Sequence, residues 1–120
     1  MVDAVTPGPL GGPSADSLRA YIDLMLLSLL TRSPSYAYEM GKDIAAKSAG
    51  AYVIKQTTLY SALKRLESAG QVESFSGQSD SGKPRTYYRM TDEGRTTLAV
   101  KLREWQQTKL LIDNFVEGTL

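Results

Sequence analysis

The chain has 120 residues with 14 Lys and Arg against 13 Asp and Glu, a formal net charge of +1, and this length points to one domain. It contains no histidine and no cysteine, which excludes Ser-His-Asp and Cys-His nucleophilic sites, imidazole or thiolate metal ligation, and disulfides. Composition therefore leans against an enzyme and against a metal or other cofactor. The charge is uneven: Ser35 to Met90 holds eight Lys and Arg against five Asp and Glu, a net of +3, while the remainder nets −2. The longest apolar stretch, Leu24 to Leu30 interrupted by Ser28, is too short to span a bilayer. No signal-type segment opens the chain, so a soluble cytoplasmic protein is expected.

Residues 1–14, with Pro7, Pro9 and Pro13 among Gly8, Gly11 and Gly12, have the composition of a disordered arm. Ser14 or Asp16 is placed to cap a first helix running to about Arg32. Leu18, Tyr21, Ile22, Met25, Leu26, Leu29 and Leu30 form its inner face. Leu24 and Leu27 widen the apolar sector beyond one small core, which suggests a second subunit. Ser33 and Pro34 break the helix, and Pro34 suits the first turn of the next, about Ser35 to Ser48. Tyr36, Met40, Ile44 and Ala45 point inward there, and Ala49 to Val53 reads as a connection.

The stretch from Gln56 to Gly70 has Leu59, Ala62, Leu63, Leu66 and Ala69 at three- and four-residue steps, an apolar stripe on a helix. Thr57 or Thr58 is a candidate cap, and Gly70 stands where a left-handed residue ends a helix. The outward face carries Gln56, Thr58, Tyr60, Ser61, Lys64 and Arg65, with no carboxylate before Glu67. After Gly70 the period changes to two. Gln71 to Ser76 and Thr86 to Met90 read as antiparallel strands, with Val72, Phe75, Tyr88 and Met90 available for burial. The Gly-rich turn between them holds Lys83, Pro84 and Arg85. The expected fold is mainly α (α+β): a winged helix-turn-helix over residues 15–90 with a two-stranded wing. Its third helix would be the recognition helix, with Lys64, Lys83 and Arg85 on phosphates and Gln56, Thr57, Thr58 and Ser61 within reach of base edges.

Thr91 caps a last helix with Asp92 and Glu93 at the positive end of its dipole, running to about Val116. Leu98, Leu102, Trp105, Ile112 and Val116 fall on a near-heptad row interrupted by Lys109. A helix of roughly 37 Å at the standard rise exceeds what this small domain covers, so residues 91–120 are expected to form a dimerisation helix. A two-fold homodimer sets two recognition helices about one DNA turn apart and suits a palindromic operator in double-stranded DNA. The rival expectation is a winged helix used as a protein-interaction or assembly module.

Three blocks, Tyr36 to Glu39, Thr58 to Gly70 and Gly82 to Gly94, resemble the PadR-type transcriptional regulators, specifically the short subgroup with one C-terminal helix. The likeness runs from about Leu18 to Phe115. It implies a dimeric DNA-binding regulator, usually a repressor released by a small molecule. Thr58, Tyr60 and Lys64 match the family's recognition-helix positions, Tyr38 its aromatic near the phosphates, and Lys83 and Arg85 its basic wing. Tyr60 is equally compatible with a partly core position. The segment Arg103 to Gln107 is similar to the last helix of multidrug-binding members. There, paired tryptophans flank a flat pocket and stack on planar aromatic compounds, which would place Trp105, Leu102, Ala20 and Leu24 around such a ligand. A Trp105 that only fills the dimer core is the alternative. Lys109 departs from a site suited to cationic drugs, and Asp23 or Asp113 would have to compensate.

Overall fold

The computed structural model describes residues 12–119. Most of the expected arm, residues 1–11, lies outside the described residues. The elements in chain order are α1 (Ala15–Leu18), a 3₁₀ turn (Arg19–Tyr21), α2 (Ile22–Leu29), α3 (Ala37–Lys47), α4 (Gln56–Ser68), β1 (Val72–Gln78), β2 (Pro84–Met90) and α5 (Asp92–Val116).

Ser14 caps α1, its side chain accepting from the Ser17 N–H at 3.1 Å. The single first helix expected to about Arg32 is instead two helices joined by the 3₁₀ turn, and α2 ends at Leu29. A 3₁₀ turn holds fewer residues per turn than an α-helix, so it shifts the phase of the side chains that follow. Tyr21 thereby packs edge-on against Trp105, centroids 5.1 Å apart, while Ile22 and Leu26 enter the core. Leu27 is fully buried in the protomer as well, rather than left for a second subunit.

Pro34 does not begin α3. Ser35 is engaged in a bridge with Tyr88, its N–H donating to the Tyr88 carbonyl at 3.0 Å and its carbonyl accepting from the Tyr88 N–H at 2.8 Å. That pairing holds the backbone extended until Tyr36, the residue before the helix. Met40 and Ile44 then face inward, as does Ala37. Beyond α3 the connection is partly core: Tyr52 and Ile54 are buried. The Ser48 hydroxyl folds this loop back by accepting from the Tyr52 N–H at 3.0 Å.

Lys55, not Thr57 or Thr58, precedes the first turn of α4, and no side chain caps it. The helix starts at least two residues earlier than a threonine cap requires, which leaves both hydroxyls inside the first turn. Leu59, Ala62, Leu63 and Leu66 are each 1% exposed or less, whereas Ala69 lies past the last turn and is exposed. Gly70 adopts a φ of 75°, and the next residue, Gln71, donates its N–H to the Leu66 carbonyl at 2.9 Å, closing the helix end.

β1 and β2 are antiparallel, paired from Val72 with Met90 to Gln78 with Pro84, so both strands reach further toward the tip than Ser76 and Thr86. Pro84 is tolerated because it stands at the end of the ladder. Val72, Tyr88 and Met90 face the core, but Phe75 lies on the opposite face, where it stacks on Tyr87. The alternation of strand side chains puts Phe75 there once Val72 is inward.

Thr91 caps α5 by accepting from the Gly94 N–H at 3.1 Å, and its own hydroxyl donates to the Gly70 carbonyl at 2.6 Å. A Cβ at Gly94 would stand 2.1 Å from the Gln71 carbonyl oxygen, so glycine is required for α5 to approach the end of α4. Leu98 is buried in the protomer's own core and leaves the proposed dimer row, because α5 packs against α2 and β2 over its first turns. No helix among the described residues is long and apolar enough to cross a membrane.

Candidate nucleic-acid interface

The buried stripe of α4 forces the opposite face outward. Gln56, Thr57, Ser61 and Lys64 are exposed, and Thr58 is half-buried. Tyr60 is 53% exposed, so its ring stands out from α4 and is not core. Tyr38, on the first turn of α3, is 64% exposed, with the Lys42 Nζ 5.6 Å from its ring centroid.

Tyr38, Tyr60 and Arg85 line one cleft of about 550 Å³ together with Tyr36, Pro84 and Thr86. Three elements distant in sequence therefore meet at one concavity: the start of α3, the outer face of α4 and the turn end of β2. Thr57, Thr58 and Ser61 line a second groove beside Arg19 and Arg65. Lys83 is exposed at the wing turn, which Ser79 closes by donating its N–H to the Lys83 carbonyl at 2.8 Å.

Charge pairing separates these cations. Arg19 pairs with Asp16 at 2.9 Å, Arg65 with Asp23 at 2.5 Å, and Arg89 with Glu73 at 2.6 Å. Among the described residues Lys64, Lys83 and Arg85 have no carboxylate partner, which leaves their charge for an external anion. The hydroxyls and amide of the first two turns of α4 are likewise donors and acceptors with no obligation to the helix end. Such a set can hold phosphate oxygens with its cations and meet base edges with its neutral groups.

A second site surrounds Trp105, which is 36% exposed. Ala20, Tyr21, Leu24, Lys101, Glu104 and Thr108 line a cavity of about 160 Å³ beside it. Ala20, Leu24 and Trp105 come together as expected, but Leu102 is not among the lining residues. Asp23 is turned to Arg65 and so does not balance Lys109, whose Nζ lies 5.8 Å from the Trp105 ring centroid. Asp113 is exposed on the last turns of α5. Ile112 and Val116 are exposed, 52% and 44%.

Family comparison agrees with this arrangement of helix, wing and C-terminal helix. The model of the transcriptional regulator PadR-like family matches residues 26–100, from within α2 to the first turns of α5. The chain belongs to the PadR-like family of transcriptional regulators. It is 34% identical over 104 residues to an uncharacterised protein of Lysinibacillus sphaericus, covering 87% of this chain and 95% of that one. A transcriptional regulator from Clostridium thermocellum is 47% identical with a TM-score of 0.79, covering 86% of this chain and 97% of its own. A PadR family regulator from Clostridium difficile is 35% identical with a TM-score of 0.70, covering 80% and 98%. A PadR-like regulator is a DNA-binding transcription factor rather than an enzyme.

In this PadR-like chain, sequence reasoning missed Tyr36, Tyr87 and Arg19 as neighbours of the interface. Arg19 lies on the 3₁₀ turn and reaches the groove beside Thr57 only because that turn rotates it there. Tyr36 was expected to point inward on a helix. It is instead the extended residue before α3, and its ring lies under Arg85. Neither placement leaves a periodic trace in the sequence.

Proposed function

We propose that the protein is a homodimeric repressor of a palindromic operator near its own gene, released by a planar aromatic molecule bound against Trp105 between two subunits. The observation that carries the DNA part of this reading is the uncompensated charge of Lys64, Lys83 and Arg85 around the exposed polar face of α4. Lys83, Arg85 and Lys64 bind phosphates and set register, with Tyr38 and Tyr60 beside them. Gln56, Thr57, Thr58 and Ser61 read base edges.

The dimer follows from the unpartnered apolar row on α5, where Leu102, Trp105, Ile112 and Val116 are all at least 36% exposed. A single chain offers two cavities against Trp105, about 160 Å³ beside Ala20 and about 480 Å³ beside Leu18 and Met25, and a second subunit would close them over the indole. Lys101 and Lys109 outnumber Glu104 around Trp105 while Asp23 is held by Arg65, so neutral or anionic aromatics fit this space better than cationic ones.

Fluorescence anisotropy with labelled DNA from the region upstream of the gene, across a salt series and with planar aromatic compounds, tests the reading. Saturable binding that weakens with salt, and that a Trp105-quenching compound reverses, is the expected result. Replacing Lys83 and Arg85 together by Ala is expected to weaken binding to every sequence and to reduce the log–log salt slope by about 2. An unchanged slope removes the wing from the contact. Binding without salt dependence would favour the interaction-module alternative, to which the exposed apolar row of α5 is also suited.

A further inference from the structure

We propose that Tyr36 and Tyr87 are positioning residues for Arg85, an aromatic shelf that holds its guanidinium ready for a DNA phosphate before DNA arrives. This rests on the wing being a DNA contact. Arg85 and Tyr87 are two apart on β2, hence on the same face of the sheet, and Phe75 lies opposite Tyr87 on β1. The Arg85 Cζ stands 3.8 Å from the Tyr36 ring centroid, a stacking distance, and its Nη1 donates to the Tyr87 hydroxyl at 3.3 Å. That hydroxyl donates onward to the Gln78 carbonyl at 3.3 Å. Tyr87 meets Tyr36 edge-on at 5.5 Å and stacks on Phe75 at 5.7 Å. Gly77 supplies the hollow in which the Tyr87 ring lies, since a Cβ there would fall 2.5 Å from two ring carbons.

The other arginine of the same strand provides the contrast. Arg89 lies over Phe75 with its Cζ 4.7 Å from the centroid, but its Nε is bonded to Glu73. Arg85 has aromatic support and no carboxylate. A side chain packed this way solely for stability has no need of an unneutralised charge beside the cleft shared with Tyr38 and Tyr60. The shelf uses one face of the guanidinium and one of its five N–H groups, and a planar fork restrained in this way loses little freedom on binding a phosphate. The two tyrosines of the Tyr36 to Tyr38 segment thus divide the work. Tyr36 holds the arginine, and Tyr38 is exposed to the ligand.

The test is a mutant cycle read by anisotropy on labelled duplex DNA from the upstream region, each variant first checked by thermal melting. Tyr36→Leu is expected to weaken binding by roughly three- to tenfold, and Tyr36→Phe, which keeps the ring, by less than about twofold. Arg85→Ala is expected to weaken binding and lower the salt slope by about 1. In the Arg85→Ala background, Tyr36→Leu is expected to cost less than about twofold, because the arginine it positions is gone. An equal loss in both backgrounds overturns the proposal. If Tyr36→Leu does not fold, Tyr87→Phe, which removes only the hydroxyl bonded to Arg85, takes its place in the same cycle. It then loses affinity only when Arg85 is present, and an equal loss in both backgrounds again overturns the proposal. Wild-type protein that shows no salt-sensitive DNA binding defeats the wing contact itself, and it does so before any variant is compared.

Discussion

Tyr88 has its backbone N–H and carbonyl engaged by Ser35 while its side chain is buried on the inner face of β2. Burial raises its phenol above the usual value of 10.0, with the nearby Glu67 charge and Tyr60 adding to the effect, and burial alone raises Tyr52. The folded state therefore holds these protons more tightly than the unfolded chain does. Below about pH 10 both states are protonated and the groups leave stability unchanged; above it the unfolded chain ionises first and stability falls as pH rises. The urea midpoint is expected to be level between about pH 8 and 9.5 and to decline above about pH 10, less steeply in Tyr52→Phe. An equally steep decline in that variant would show that Tyr52 takes no part.

Among the elements, the junction of α5 with the end of α4 is the most demanding. Gly94→Ala in an ordinary helix interior would gain about 1 kcal/mol from helix propensity. Here the added Cβ would meet the Met90 Cγ at 2.7 Å and the Gln71 carbonyl at 2.1 Å, and the latter is backbone that cannot move without shifting the whole helix. Overpacking is expected to win by roughly 2–3 kcal/mol net, measured as a lower urea midpoint at unchanged slope. A midpoint at or above wild type would mean that α5 slides without cost. The elements that were legible in the sequence share a property: each carries its reason locally. The stripe of Leu59, Ala62, Leu63 and Leu66 gives α4, Thr91 with two acids gives the start of α5, and Gly70 ends α4. What was not legible depends on partners remote in the chain. The Ser35 bridge to Tyr88, the entry of Tyr52 into the core and the stacking of Arg85 on Tyr36 each join single residues without a repeat. The outward placement of the candidate residues on α4 and at the wing turn could be read, because a buried stripe and a polar turn put them there. The shelf beneath Arg85 could not.

For the molecule as a whole, α5 is the feature the protomer does not accommodate. From Lys109 to Thr119 every residue is exposed, including Leu110, Leu111, Ile112, Phe115 and Val116. An apolar row of this kind on a solvated helix marks an association surface. Sedimentation velocity is expected to show a dimer, and Ile112→Lys with Val116→Lys to shift it to monomer while leaving the domain folded. A dimer unchanged by both charges would put the contact elsewhere.

Thr91 bonded to Gly70, and Gly94 pressed on Gln71, act as a welded elbow between two rods of unequal length. By the standard rise α5 extends about 37 Å from the elbow and α4 about 20 Å. The first turn of α4, with Gln56 and Thr57, is the tip of the short arm. Swinging the long arm by about 2 Å at its end then moves that tip by roughly 1 Å, and the gap between two tips in a dimer by about twice that. Such a gearing favours fine adjustment over large travel. In the proposed repressor, an effector wedged at Trp105 would act by detuning the match to operator spacing, without having to pull the domains off the duplex.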